Sequence, residues 1–194
     1  MDHVIKDVVD NINATAAALE QHLKVNTPVI NPEKNGIQEA NLTFHFASQC
    51  LQKSWLIYPE ASNFSVDGRP KSRKKHARVD LHVIVENRFI MTVEAKKFFD
   101  IDSGNGLIED FKRAQSIKYE HRFDELPHYI LLLAITEKDN WEGWWRDSQI
   151  DENSSETWKD LSQILESEGI VRSSLAIDDN RKKHYLLYAL KQTR

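Results

Sequence analysis

The sequence predicts an α/β fold, a mixed central sheet flanked by helices. Three observations carry that expectation. Residues 78–98 read as two strands joined by a tight turn, with Val79, Leu81, Val83 and Val85 alternating with Asp80, His82 and Ile84, and Phe89, Met91, Val93 and Ala95 alternating with Ile90, Thr92, Glu94 and Lys96. The unbroken apolar run Tyr129-Ile130-Leu131-Leu132-Leu133-Ala134-Ile135 has strand length and suits a central strand covered on both faces. Stretches with helical apolar spacing precede, separate and follow these strands.

The chain has 194 residues, 40% hydrophobic and 29% charged, with a formal net charge of -4. This is the composition of a globular protein with one sizeable core. The single cysteine, Cys50, excludes an internal disulfide framework and a multi-cysteine zinc site, so the expected compartment is the cytoplasm. No apolar run approaches membrane-spanning length, and the N-terminus lacks a basic-then-apolar leader pattern.

In order, Asp2 to Lys24 predicts an amphipathic helix through Val4, Ile5, Val8, Val9, Ile12, Ala16, Leu19 and Leu23. Asn26 to Gly36, with two prolines, reads as a loop. A second helix is expected from about Gly36 to Gln52 with Ile37, Ala40, Phe44, Ala47 and Leu51 as its apolar stripe. Glu39 falls in its first turn, where a carboxylate favours the helix dipole. Trp55 to Glu60 is a short strand with Pro59 near its end. After the hairpin, Asp100 to Gly106 reads as a loop and Leu107 to about Arg122 as a helix, placing Gln115 and Tyr119 one turn apart on one face. The tryptophans at 141, 144 and 145 fit helix packing, with base stacking as the other reading. Ser155 to Ser167 is a further helix, and Val171 to Ile177 with Lys183 to Leu190 are two strands around Asp178-Asp179-Asn180, expected to extend the sheet's edge.

The hairpin register can be derived. With Val85 opposite Phe89, Val83 meets Met91, Leu81 meets Val93 and Val79 meets Ala95, so one face is apolar throughout. On the other face Ile84 meets Ile90, His82 meets Thr92, and Asp80 comes opposite Glu94, with Lys96 two residues on. Two carboxylates and an ammonium thus converge. Paired acids in a sheet repel unless a cation joins them, and hard carboxylate oxygens suit magnesium or manganese. The competing reading is a solvated face with a cross-strand Lys–Glu pair. Just upstream, Arg69, Lys71, Arg73, Lys74, Lys75 and Arg78 form a run without an acid, fit for phosphate contact beside the carboxylates; a nuclear-localisation or merely solvated run is the alternative.

Asp80, then Glu94-Ala95-Lys96 on the next strand, with Glu39 in the preceding helix, resembles the PD-(D/E)xK nucleases. Gln115-Ser-Ile-Lys-Tyr119 is similar to the Gln-x-x-x-Tyr feature of their RecB-type and phage-exonuclease branch. Val79 stands where many members carry proline. The resemblance covers roughly 36–137, leaving 1–35 as an N-terminal helix and loop and 138–194 as a C-terminal extension, a helix plus β-hairpin, of one domain. It implies a restriction-endonuclease-like α-β-β-β-α-β core. It also implies Mg2+-dependent (Mn2+ may substitute) hydrolysis of phosphodiester bonds in DNA, duplex in preference to single-stranded, by an endonuclease. Asp80, Glu94, the Ala95 carbonyl and Glu39 would hold metal, and Lys96 would position or activate water. Gln115, Tyr119, Arg73, Lys74, Lys75 and Arg78 would hold substrate. No membrane partner is implied, and a homo-oligomer is allowed. Glu60 could approach the same patch in place of Glu39. A catalytically silent nucleic-acid- or protein-binding module on the same fold is the alternative.

Overall fold

In a computed structural model of the chain, residues 3–25, 37–62, 78–117, 119, 123–178 and 182–194 are described. The loop expected over Asn26–Gly36, the basic residues Arg69 to Lys75, and Asp179 and Asn180 of the last turn lie outside the described residues. The elements are α1 (His3–Val25), α2 (Glu39–Gln52), β1 (Leu56–Ser62), β2 (Arg78–Val85), β3 (Phe89–Lys97), α3 (Ile101–Gln115), β4 (His128–Thr136), α4 (Asp139–Asp147), α5 (Glu156–Leu165), β5 (Ile170–Asp178) and β6 (Lys183–Gln192). From α2 to β4 this is the expected α-β-β-β-α-β order. None of the helices, among the described residues, is long and apolar enough to cross a membrane.

One mixed six-stranded sheet runs β1-β2-β3-β4-β6-β5. Every pairing is antiparallel except β3 with β4, where α3 makes the crossover a parallel pair needs. β4 is buried along its whole length, as the apolar run predicts. The C-terminal strands do extend the sheet, but β6 lies beside β4 and only β5 forms the edge. The 138–194 segment also holds two helices, because the tryptophan stretch is itself helical.

Helices cover both faces. Val8, Ile12, Leu19, Leu42 and Phe46 of α1 and α2 pack on Leu81, Val83, Met91, Val93, Leu131 and Leu186. On the opposite face Leu107 and Phe111 of α3, Trp145 of α4 and Leu161 of α5 pack on Ile130, Leu132, Ala134 and Leu187. The tryptophans are packing residues: Trp145 is fully buried and donates its indole N–H to the Tyr188 carbonyl at 3.2 Å, while Trp141 stacks on Trp158.

Two helix assignments need correction. Helix α2 buries Leu42, Phe46, Ala47 and Cys50, so the expected stripe is rotated and Phe44 and Leu51 lie exposed. Both sets repeat at helical spacing, and tertiary contact chose between them. Asp100 to Gly106 is not a loop: Asp100 accepts from the Ser103 N–H at 2.8 Å and the Ser103 hydroxyl accepts from the Asp100 N–H at 3.0 Å, a reciprocal cap that starts α3 at Ile101. The helix then ends at Gln115, with the Ser116 hydroxyl donating to the Arg113 carbonyl at 2.7 Å. Tyr119 therefore lies past its end, and the one-face relation between Gln115 and Tyr119 does not hold.

Candidate active site

The predicted hairpin register is observed from Val85 opposite Phe89 to Leu81 opposite Val93. There the ladder stops. The expected pairs Val79–Ala95 and Asp80–Glu94 are replaced by a side-chain bond, in which Asp80 Oδ2 accepts the Ala95 N–H at 2.7 Å. On the other flank of β2 the ladder runs Pro59–Leu81 and Ala61–Val79, skipping Glu60 and Asp80. Glu60 takes a left-handed φ of 52°, costly for a residue with a Cβ. The sheet is thus opened at Asp80 on both sides. Because a strand residue points its N–H and C=O the same way, the Ala95 carbonyl faces that opening too.

Glu94 and Lys96 project from β3 toward α3, where two residues missed in the sequence complete the cluster. Arg113 donates Nε (3.2 Å) and Nη2 (2.9 Å) to the same oxygen, Glu94 Oε1, and Nη2 also to Asp110 Oδ1 at 2.7 Å. Asp110 Oδ2 pairs with Lys96 Nζ at 3.0 Å. Gly106, one turn before Asp110, makes room for this contact: a Cβ there would lie 3.2 Å from Lys96 Cε. Glu39, first residue of α2, accepts the Lys97 N–H at 3.0 Å and ties that helix to the end of β3. Glu39, Glu60 and Asp80 also line a groove of ≈ 560 Å3, together with Phe44 and Leu51 of α2 and Ile57 and Pro59 of β1.

Four carboxylates (Glu39, Asp80, Glu94, Asp110) therefore meet two cations (Lys96, Arg113), an excess of acid. Burial pushes the Glu94 carboxyl up to about 8; Asp110 and Asp80 add to this and Arg113 opposes it. Asp80 is raised as well, first by burial, with the Ala95 N–H opposing. For Lys96 burial works downward, but the ion pair with Asp110 and the fields of Glu39 and Asp80 outweigh it and hold the ammonium charged. Glu94 Oε2 is buried without a hydrogen-bond partner among the described residues.

Among the described residues no group of three or more His, Cys, Asp or Glu side chains is placed to chelate an ion. A closed zinc-type cage is thus not formed there. Magnesium asks for less: it keeps several waters and is held by one or two carboxylates plus substrate oxygens. Asp80, the unpartnered Glu94 oxygen and the Ala95 carbonyl fit that demand, whereas Glu39 is engaged on the main chain of β3.

The remaining expected residues separate. Gln115 is exposed at the end of α3. Tyr119 packs over the sheet, its hydroxyl 2.8 Å from the Thr92 hydroxyl and its ring against His82 and His128. Arg78 is exposed at the start of β2, 3.7 Å from Glu60. Arg73, Lys74 and Lys75 lie outside the described residues. Asp110 and Arg113 had one faint signal: a charge among Leu107, Phe111 and Ala114 on a face that must be buried. Comparison with family models, with curated protein sequences and with solved structures gives no match.

Proposed function

We propose that the chain is a magnesium-dependent nuclease, an endonuclease that hydrolyses phosphodiester bonds in DNA in a cytoplasmic setting. The observation that supports this reading is the opening of the sheet at Asp80, next to a buried Glu94 with an unpartnered oxygen and a charged Lys96, the three within each other's electrostatic field. Asp80, Glu94 and the Ala95 carbonyl would hold the ion. When bound, it would supply charge to the scissile phosphate and acidity to a water.

The protein's own groups do the rest. Lys96, kept as an ammonium by Asp110, orients the attacking water and offsets charge that develops on the phosphate; in that state it donates hydrogen bonds and does not accept the proton. Glu39 fixes the end of β3 through the Lys97 N–H and lines the groove, where it would accept from a water hydrating the ion. Arg78, the basic residues before it and Gln115 supply contacts along a nucleic-acid backbone, whose affinity is mostly electrostatic. Duplex DNA is the expected substrate.

The test is cleavage of closed circular and linear duplex DNA with magnesium, manganese or EDTA, beside Lys96→Ala and Asp80→Asn. Metal-dependent nicking of the circle, lost in both variants, is expected. Equal cleavage by folded Lys96→Ala would refute the assignment. One observation favours a second reading, a silent binding module: Arg113 already supplies Glu94 with a cation. In that case DNA binds uncut and magnesium gives no Asp80-dependent thermal stabilisation.

A further inference from the structure

The groove between α2 and β1 shares Asp80 and Glu39 with the acidic cluster but differs from it in character. Phe44 and Leu51 of α2, 67% and 58% exposed, and Ile57 and Pro59 of β1 give it apolar surface. Its volume of ≈ 560 Å3 lies in the range of small-molecule sites. Large apolar side chains grouped in water around a concave surface mark a place where something binds. The polar lining narrows what that is. Glu39, Glu60 and Asp80 contribute carboxylates, and among the described residues no lysine or arginine lines the groove. The hydroxyls of Thr43 and Ser48 donate to main-chain carbonyls of their own helix, those of Glu39 at 3.1 Å and Phe44 at 2.8 Å. Ionised carboxylates only accept, so these side chains offer acceptors and their donors are spent. A phosphate is repelled from such a lining. A flat, uncharged ring with N–H groups on its edge is not.

Resting on the nuclease reading, we propose that the groove takes one unpaired base of the DNA, guanine in preference to thymine, beside the phosphate held at Asp80. Base and phosphate are joined through one sugar, so a phosphate at Asp80 brings its base to the groove that Asp80 lines. A basic peptide would also meet the acids, but nothing tethers it to Asp80. Phe44 supplies a ring for the base to stack on, a contact that any base can make. The acids then discriminate. Guanine carries two adjacent donors on its pairing edge, the N1–H and the N2 amino group, which match the two oxygens of a carboxylate. Thymine has one N–H between two carbonyls, which the acids repel. In intact duplex that edge is occupied and the base is held in the stack, so the preferred substrate is duplex DNA with a locally unpaired nucleotide.

The experiment measures binding of the full chain to three labelled duplexes by fluorescence anisotropy, with calcium in place of magnesium. One duplex is fully paired, one carries a single unpaired guanine and one a single unpaired thymine. The guanine duplex should bind about tenfold tighter than the paired one, the gain expected for stacking on one aromatic ring, and the thymine duplex should gain much less. Phe44→Ala, at an exposed position, should abolish the gain and leave paired-duplex affinity and melting temperature unchanged. Equal binding of all three duplexes, an equal gain for thymine, or a gain kept in Phe44→Ala overturns the base site. Magnesium-dependent cleavage of the paired duplex, lost in Lys96→Ala, would leave the nuclease reading standing in each of those cases. A lysine-rich peptide bound by wild type and not by Phe44→Ala, with the three duplexes bound alike, would make the groove a protein-docking surface and refute the proposal. If no duplex binds and none is cut, both readings fall.

Discussion

Stability against pH offers the sharpest test of how Glu94 is held. Its ordinary value of 4.5 is pushed up to about 8 by burial, against the pull of Arg113. The folded chain therefore binds a proton that the unfolded chain has released between those values, and stability falls as pH rises from about 4.5 to 8. At 1.36 kcal/mol per unit the full loss is about 5 kcal/mol. His82 works the other way. Burial lowers it from 6.5 to about 4, so the folded state excludes a proton the unfolded state binds, and stability rises by about 3 kcal/mol as pH climbs through that window. The two nearly cancel below pH 6.5. Above it Glu94 acts without His82, and about 2 kcal/mol should be lost by pH 8. Glu94→Gln removes the titration. Urea unfolding of wild type and variant at half-unit steps from pH 4.5 to 8.5, in EDTA, should show the variant gaining on wild type throughout, with magnesium narrowing the gap near pH 8. Parallel curves would refute the claim that this carboxylate is buried short of compensation.

Two more outcomes are expected from single contacts. Gly106→Ala adds a Cβ 3.2 Å from Lys96 Cε, so cleavage should drop by tenfold or more as Lys96 shifts, while chemical denaturation shows stability unchanged or up by about 1 kcal/mol from better helix propensity; intact cleavage would mean that Lys96 needs no fixed seat. Tyr119→Phe removes the bond to Thr92 and should lower stability by about 1 kcal/mol with the cleavage rate unchanged. A large loss of cleavage at constant stability would instead place that hydroxyl on the substrate.

The hairpin was legible because alternation fixes register, and a one-residue slip would have turned every side chain over. That logic carried Asp80 and Glu94 to within one bond of their true arrangement. It failed at the last step because it treats a ladder as continuous, whereas the Asp80 carboxylate takes the place of main-chain pairing with Ala95. The facing of α2 was ambiguous for a different reason: Ile37, Ala40, Phe44, Ala47 and Leu51, and Leu42, Phe46 and Cys50, both follow helical spacing, and only the docking of Glu39 on Lys97 and of Leu42 in the core selects one. Asp110 and Arg113, three apart on a helix, look like an ordinary surface pair until the strand beneath them is known. Charge pairing across elements distant in sequence leaves no periodic trace.

The parallel seam between β3 and β4 divides the sheet into two antiparallel blocks. On one side β1, β2 and β3 form an antiparallel block, and on the other β4, β6 and β5 form a second. The β2–β3 and β5–β6 hairpins are local, whereas the seam joins Ile90 to His128 and needs α3 laid across it, and the β4–β6 pairing inside the second block reaches further still, from Tyr129 to Gln192. Asp80, Glu94 and Lys96 belong to the first block, while Asp110 and Arg113 ride on the crossover. Until the crossover docks, Glu94 has no guanidinium and Lys96 no carboxylate to hold it. A chain stalled before that step keeps its acids in water and can neither bury Glu94 nor seat Lys96, so the cluster forms only once α3 is laid across the seam.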